Sequence, residues 1–375
     1  MLTHTEKKFL TADPGHGNVT GNVTGNVTID VLKGLSDMPS IRDVAEYTKT
    51  STSTVSRVIN SREGVDPATR DRILLAIEEL GYKPNLVAQG LRVKKGNLIG
   101  LVLPEESESF SQIAYAASER ARQHGYNLVF GCVHKDPDIE AQLLDDLIRR
   151  HINGIIFSRV SDESRVLHKV TKKEVPIVII DRTFEHEEVP YVVLDNYQTG
   201  VIVADYLMKL GHRKVACVIG PHKIELVRER LDGFLHKLSR GGISVPDSLI
   251  YEGNFYFESG LQAVDYFASR KEMPTAIWSL NDTMAWGLLR GLYEKGIPVP
   301  GAVSVVGMDD LQFSHMITPS LTTILYPFRQ MAEEAVDMII NMQGGDKAGQ
   351  QQKKLIPRLI VRESTSHAIE GVLHE

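Results

Sequence analysis

Ser40 to Asn60, SIRDVAEYTKTSTSTVSRVIN, reads as two short helices around a tight turn, the second lined with small hydroxyl side chains and carrying Arg57. Ser40, with Asp43 three residues on, has the form of a capping box. Behind it the apolar positions Ile41, Val44, Ala45 and Tyr47 fall at helical spacing. Ser51 is placed to cap the second helix, where Val55, Val58 and Ile59 face inward at i, i+3 and i+4. That leaves Thr52, Ser53, Ser56 and Arg57 outward. Such a face fits a major groove about 12 Å wide, where an arginine hydrogen bonds guanine and hydroxyls meet several base edges. The competing reading is the solvated side of an ordinary helical hairpin, and the segments that follow decide against it.

A third helix begins at Asp66-Pro67, with Asp as N-cap and Pro at the first helical position, and runs through Ile73, Leu74, Ile77 and Leu80 to Gly81. Residues 40–84 thus form a small helical head, and a unit below about 60 residues has only a marginal core. Residues 85–97, beginning NLVAQGLRVKKG, have a helical pattern interrupted by Gly90, which costs about 1 kcal/mol relative to Ala. Alone this segment is predicted to stay largely unfolded and to fold on docking. Val87, Ala88 and Leu91 share one face, and Leu91 has the character of a wedge for a minor-groove base step. The alternative is a plain linker whose Leu91 packs on the body.

From Leu98 short apolar runs alternate with amphipathic stretches. The predicted strands are 98–104, 126–132, 154–158, 176–181, 215–220, 249–253, 276–280 and 303–308, with helices between. This alternation is that of parallel sheets covered on both faces, and its restart near Asp195-Asn196 predicts two of them. Ligands of such sheets bind beyond the carboxyl ends of the strands. The residues there are Asp181 and Arg182, Asn281 and Asp282, Asp309 and Asp310, with Arg230 on a helical RLDGF segment within reach. Taken singly each reads as a helix cap or a surface ion pair. Their recurrence at strand ends favours a shared cleft for a small hydroxylated molecule, because carboxylates accept from sugar hydroxyls and a guanidinium donates to neighbouring oxygens.

The chain has 375 residues, 42% hydrophobic and 24% charged, which is enough for two or three packed units. No apolar run reaches the roughly 18 residues of a bilayer span, and the N-terminus lacks the order of an export signal, so a soluble cytoplasmic protein is expected. Net charge is −6, unevenly spread: residues 40–96 carry ten Lys or Arg against seven Asp or Glu, and residues 97–375 carry 29 against 37. A basic head on an acidic body suits local phosphate attraction. Cys132 and Cys217 each lie in an apolar run without CxxC spacing and read as core residues, and the thirteen His show no ligand spacing, so neither metal nor cofactor is expected. Residues 1–39 contain GNVT three times in tandem from Gly17 and read as a disordered extension, with Met38 a second candidate start of translation.

Taken together these segments resemble the lac repressor and galactose repressor family of bacterial transcription regulators, from about Ser40 to Thr365. The carriers are IRDVAEYTKTSTSTVSRVIN, VDPATRDRILLAIEELGYKPN and VAQGL in the head and hinge. In the body they are NGIIF, VPIVIIDR, VVLDN, RLDGF, NDTMAWGLL, GIPVPGAVSVVGMDD, PSLTTI and LIPRLIVREST. The resemblance implies a helix-turn-helix head on an α/β body like a periplasmic sugar-binding protein, built of two doubly wound parallel subdomains. Their expected bounds are 98–195 with 327–345, and 196–326 with 346–365, leaving 366–375 as a tail. It further implies a homodimer on a nearly palindromic operator. Thr52, Ser53 and Arg57 then match base-reading positions; Ser51, Thr54, Ser56 and Asn60 match backbone contacts; and Ala88 and Leu91 match the minor-groove face of the hinge. Asp181, Arg182, Arg230, Asn281, Asp309 and Phe328 match the effector pocket, whose occupancy shifts the subdomains and with them the hinges, and Arg182 and Arg230 among carboxylates favour a sugar, sugar acid or phosphorylated sugar. Three features depart from the family pattern: Lys49-Thr50 where Gly and Val are usual in the turn, Gly90 in the hinge, and PEESESF at 104–110, whose acids read as solvated.

Two other classes are weaker. An exported solute receptor would share the body but needs an export signal and has no use for residues 40–96. An α/β enzyme would carry a GxGxxG, a GxxxxGK[ST] loop or a nucleophile elbow, and the sequence has none of these.

Overall fold

The computed structural model of the chain describes residues 39–83, 97–160, 175–182, 189–270, 273–345 and 352–368. The chain divides into two compact units, Met1–Arg92 and Val93–Glu375.

The first unit holds helices α1 (Ile41–Tyr47), α2 (Thr52–Ile59) and α3 (Pro67–Glu79). Ser40 and Asp43 close the capping box on α1, Ser51 accepts from the Thr54 amide on α2, and Asp66 caps α3 with Pro67 behind it. Val44, Ala45, Val55, Val58, Ile73 and Ala76 are buried between the helices. Tyr47, apolar in the spacing, is 60% exposed, and its hydroxyl donates to Glu79 Oε2 at 2.8 Å. Six residues past Ile41 the helix has carried its side chain to about 120° from the core-facing side, so this ring pins α1 to the end of α3 from outside.

The turn between α1 and α2 forms without the usual glycine. Lys49 takes the left-handed conformation at φ 52°. The buried Thr48 hydroxyl donates to Val44 O at 2.7 Å and lies 2.8 Å from the Thr50 hydroxyl, while the Thr50 amide donates to Ala45 O at 2.9 Å. Left-handed backbone costs a side-chain-bearing residue about 1–2 kcal/mol, partly offset by its lower unfolded-state entropy. Lys49→Gly is therefore expected to raise head stability by about 0.5–1 kcal/mol, read as a higher denaturant midpoint; a lower midpoint would contradict the strain.

In the second unit, β1 (Leu98–Leu103), β2 (Asn127–Cys132), β3 (Gly154–Phe157), β4 (Ile177–Ile180), β5 (Tyr191–Leu194) and β11 (Gln352–Leu355) form a wholly parallel sheet in the order β11-β5-β4-β3-β1-β2. Helices α4 (Glu108–Gln123), α5 (Pro137–Arg149) and α10 (Phe328–Gln343) cover it. The second sheet, β12-β10-β9-β8-β6-β7, comprises β6 (Val215–Ile219), β7 (Ile250–Glu252), β8 (Ala276–Ser279), β9 (Ser304–Asp309), β10 (Thr322–Leu325) and β12 (Arg358–Ile360). Its helices are α6 (Asn196–Lys209), α7 (Glu225–Arg240), α8 (Phe257–Ala268) and α9 (Asp282–Glu294). All its pairings are parallel except β12 with β10. The central strands are buried along their whole length, which is why they read as unbroken apolar runs.

Two expectations are corrected here. Segment 346–365 does not belong wholly to the second subdomain, since β11 pairs with β5 in the first sheet before the chain crosses at Ile356-Pro357 and β12 joins the second. Cys217 is buried, but Cys132 lies half-buried on edge strand β2, its Sγ 3.9 Å from His134 Nδ1. Residues 1–38 lie outside the described residues.

His212 ties the segment after β12 to the second sheet. It is buried, with Nδ1 3.0 Å from the Thr275 hydroxyl and Nε2 3.1 Å from both the Ser304 hydroxyl and Ser366 O. Burial holds its pKa below the ordinary histidine value of about 6.5. The unfolded chain therefore binds the proton first, and stability is lost as pH falls from about 6.5 towards the lowered folded value. Asp282 acts with the opposite sign. Burial raises its pKa to about 7, so its contribution is lost as pH rises from the ordinary carboxylate range to that value. His212→Gln is expected to flatten the acid-side fall in melting temperature between pH 6.5 and 5; an unchanged pH profile would remove His212 from the account.

Candidate functional site

Thr52 and Arg57 stand on the outer side of α2 with Ser51 and Ser53 at its start. Ser51, Ser53, Arg57 and Asn60 are exposed, and Thr52, Thr54 and Ser56 half-buried. Ser51 Oγ lies 2.7 Å from Ser53 Oγ and 2.8 Å from Thr54 Oγ1, giving a tight hydroxyl cluster at the helix N-terminus. Asn60 Nδ2 donates to Ser56 O at 2.7 Å and seals the other end. Among the described residues no acceptor engages the Arg57 guanidinium. Ala88 and Leu91 lie outside the described residues.

In the body, the ends of β4, β9 and β10 converge. Asp181 and Asp309 both have left-handed backbone, with φ 69° and 121°, as have Asp310 at 57° and Phe255 at 71°. Four such residues without glycine mark stored strain, which gathers where side chains are aimed for function. Tyr326, one residue past β10, links the pieces. Its hydroxyl donates to Asp181 Oδ1 at 2.7 Å, its ring stacks on Phe328 at 4.5 Å between centroids, and the Arg230 guanidinium lies 6.0 Å from the ring centre.

Arg230 is 4% exposed and projects from α7, where Gly200 on α6 and Gly233 on α7 bring the two backbones together. A Cβ at Gly200 would lie 2.1 Å from Arg230 O, and one at Gly233 2.0 Å from Tyr197 O. So anchored, Arg230 donates from Nε to Asn196 Oδ1 at 2.9 Å and from Nη1 to Leu280 O at 3.3 Å. Burial raises the Asp309 pKa well above the carboxylate range, the Asp282 charge adds to the rise, and Arg230 opposes it. Asp282 itself is buried under three donors: Leu311 N at 2.9 Å and the Ser314 and Thr323 hydroxyls at 2.6 Å each.

The structure thus brings Asp181, Arg182, Arg230, Asp309 and Phe328 together. Asn281 stands apart in kind: its Oδ1 caps α9 at Met284 N and its Nδ2 donates to Phe255 O at 2.8 Å, so its amide shapes the wall. Sequence reasoning missed Tyr326, Phe255 and Arg159. Tyr326 obeys the strand-end rule, but β10 was not among the predicted strands. Arg159, 3% exposed, follows β3 and pairs across the cleft with Glu225 at 3.4 Å.

The 104–110 segment is also corrected, because its acids bridge the subdomains. Glu105 pairs with Lys135 at 2.7 Å and accepts from the Tyr256 hydroxyl at 3.3 Å, while Glu108 Oε1 accepts from the Gln312 amide at 3.0 Å. Beside the latter bridge opens a cavity of about 560 Å³, bordered by Tyr115, Asp310, Arg329 and Arg362. Glu108→Ala is expected to speed hydrogen exchange of peptides containing Gln312 roughly threefold to tenfold, the scale of one exposed hydrogen bond; unchanged exchange would mean the bridge does not hold the lobes.

Residues 40–85 match the model of "Bacterial regulatory proteins, lacI family", and residues 97–362 that of "Periplasmic binding proteins and sugar binding domain of LacI family". The chain belongs to the LacI family. The HTH-type transcriptional repressor PurR of Klebsiella pneumoniae (strain 342) is 31% identical over 332 residues, covering 88% of this chain and 97% of that protein. The lac repressor dimer bound to operator and the anti-inducer ONPF matches with TM-score 0.82 at 30% identity, covering 88% of this chain and 99% of that one. The transcriptional regulator CelR in its cellobiose complex matches with TM-score 0.67 at 27% identity, over 87% of this chain and 99% of that one. This LacI-family chain is a DNA-binding transcriptional regulator with an effector-binding domain, and its relatives are regulators, not enzymes. Among the described residues no helix is long and apolar enough to cross a membrane.

Proposed function

We propose that the protein is a cytoplasmic, homodimeric repressor whose two heads read a nearly palindromic operator and whose grip is set by a sugar-like effector in the cleft. Thr52, Ser53 and Arg57 read bases; Ser51, Thr54, Ser56 and Asn60 hold the phosphate backbone; Ala88 and Leu91 enter the minor groove. Asp181, Arg182, Arg230, Asn281, Asp309 and Phe328 line the effector site. Solved relatives on operator, or holding cellobiose, support both halves of this reading.

The observation that carries it is the convergence of the strained strand ends on buried Arg230, with the Tyr326–Phe328 stack as an apolar face for a sugar ring. Asp181 and Arg182 belong to the first subdomain and Arg230 and Asp309 to the second. A ligand gripping both sets their relative orientation, and so has different affinities for the two arrangements of the dimer. The test is enrichment of genomic fragments on the full chain, followed by sedimentation and affinity measurements with and without sugars. A dimer that binds an enriched duplex far tighter than random DNA, and releases or tightens on it with a sugar, is expected. A monomer indifferent to every fragment would overturn the operator half, and an operator binder blind to all sugar-like compounds the effector half.

A further inference from the structure

We propose that the effector carries an acidic group, a carboxylate or a phosphate, on its polyhydroxylated frame, and that this group docks against Ser158 and Arg182 on the first-subdomain wall. The inference rests on the cleft being the effector site and adds the ligand's charge and its orientation.

β3 and β4 are neighbours in the first sheet, so the residues that follow them, Ser158 to Val160 and Asp181 to Arg182, leave the sheet side by side at its carboxyl end. Arg182 Nη1 donates to Val160 O at 3.0 Å, which lays the guanidinium along the 158–160 loop. Its Nε is buried with no hydrogen-bond partner, the nearest carboxylate oxygen, Asp181 Oδ2, being 3.7 Å away. Ser158 Oγ, in a residue with 0% exposure, likewise has no hydrogen-bond partner. Buried polar atoms left unmatched are rare and costly, and two in one neighbourhood point to a ligand that completes them.

Among the described residues, most acceptors on this wall are engaged, and Asp181 Oδ2 faces Arg182 Nε at 3.7 Å. Asp181 Oδ1 takes the Tyr326 hydroxyl, Glu140 Oε2 takes the Val160 amide at 2.8 Å, and Glu225 pairs with Arg159. Among the described residues, the atoms left unmatched here are the Arg182 Nε–H, which only donates, and the Ser158 hydroxyl, which can donate, and the complement they share is a group that accepts from both. A carboxylate or phosphate does this, with charge assistance from a planar guanidinium. The second-subdomain wall is mixed, with Asp309 beside Arg230, and suits hydroxyls that both donate and accept. The two walls thus read opposite ends of one molecule, acid on the first and hydroxyls on the second.

The test is calorimetric titration of the full chain with matched sets: glucose, galactose, fructose and ribose, each beside its phosphate and, for the aldoses, its aldonate and uronate. An acidic member is expected to bind at least 30-fold tighter than its neutral parent, and which acid wins separates carboxylate from phosphate. Arg182→Gln should reduce that ratio to below about threefold, Arg182→Lys should restore part of it, and Ser158→Ala, which removes only a hydroxyl, should lower it roughly threefold. A neutral sugar binding as tightly as its acids, or a ratio untouched by both Arg182→Gln and Ser158→Ala, overturns the acidic group and leaves the cleft as effector site. No binding by any member overturns the acidic group together with the sugar-like effector itself.

Discussion

Arg57→Ala is expected to lower the ratio of operator to random-duplex affinity tenfold to a hundredfold, the worth of about 1–3 kcal/mol of base discrimination. The guanidinium is exposed and engages no acceptor among the described residues, so its removal disturbs none of their contacts and the loss is one of reading. Phosphate attraction from the other basic residues of the head stays, and with it the salt-dependent background affinity. Anisotropy titrations on both duplexes at two salt concentrations check this. Equal loss on both would assign Arg57 to a phosphate contact, and a lower melting temperature would assign it to the head's own packing.

The second large effect is expected from Arg230→Ala. Nine-tenths of this side chain and more is out of water, and its truncation strips Asn196 Oδ1 and Leu280 O of a donor and the Asp309 carboxyl of a nearby positive charge. Each buried acceptor left without its donor costs about 1–3 kcal/mol, and Asp309 recovers part of its own loss by taking a proton. A drop of about 3 kcal/mol in body stability is therefore expected, the sum of two stranded acceptors, together with loss of effector response. Arg230→Lys keeps the charge without the fork and should recover stability more than response. A body that melts unchanged in Arg230→Ala would show that the cation carries none of the cleft.

The head was legible to the level of its caps, because capping boxes, Asp-Pro starts and a 3.6-residue apolar period are local and each has one physical cause. The left-handed Lys49 was not legible, since only the two threonine hydroxyls and the Ala45 carbonyl around it make that turn hold without glycine. In the body the apolar runs announced eight strands and passed over four: β5, only four residues long, and β10, β11 and β12, which are short, carry Thr, Lys or Arg and are defined by tertiary pairing. The strand-end rule found Asp181, Arg182 and Asp309. It passed over Tyr326 because β10 was missing from the count, and over Glu105 and Glu108 because an acidic run reads as solvated until its partners across the cleft are known.

The chain passes between its two lobes three times, before Asn196, between Leu325 and Phe328, and between Leu355 and Arg358. Lobes joined by one strap could swing about any axis and drift apart; joined by three, they behave like a door on a pinned edge, with one easy direction of travel. A single cut, even at Ile356, which is 85% exposed, would leave two straps in place. Under the proposed function, an effector's binding energy would thus be spent along one path and not dissipated among many.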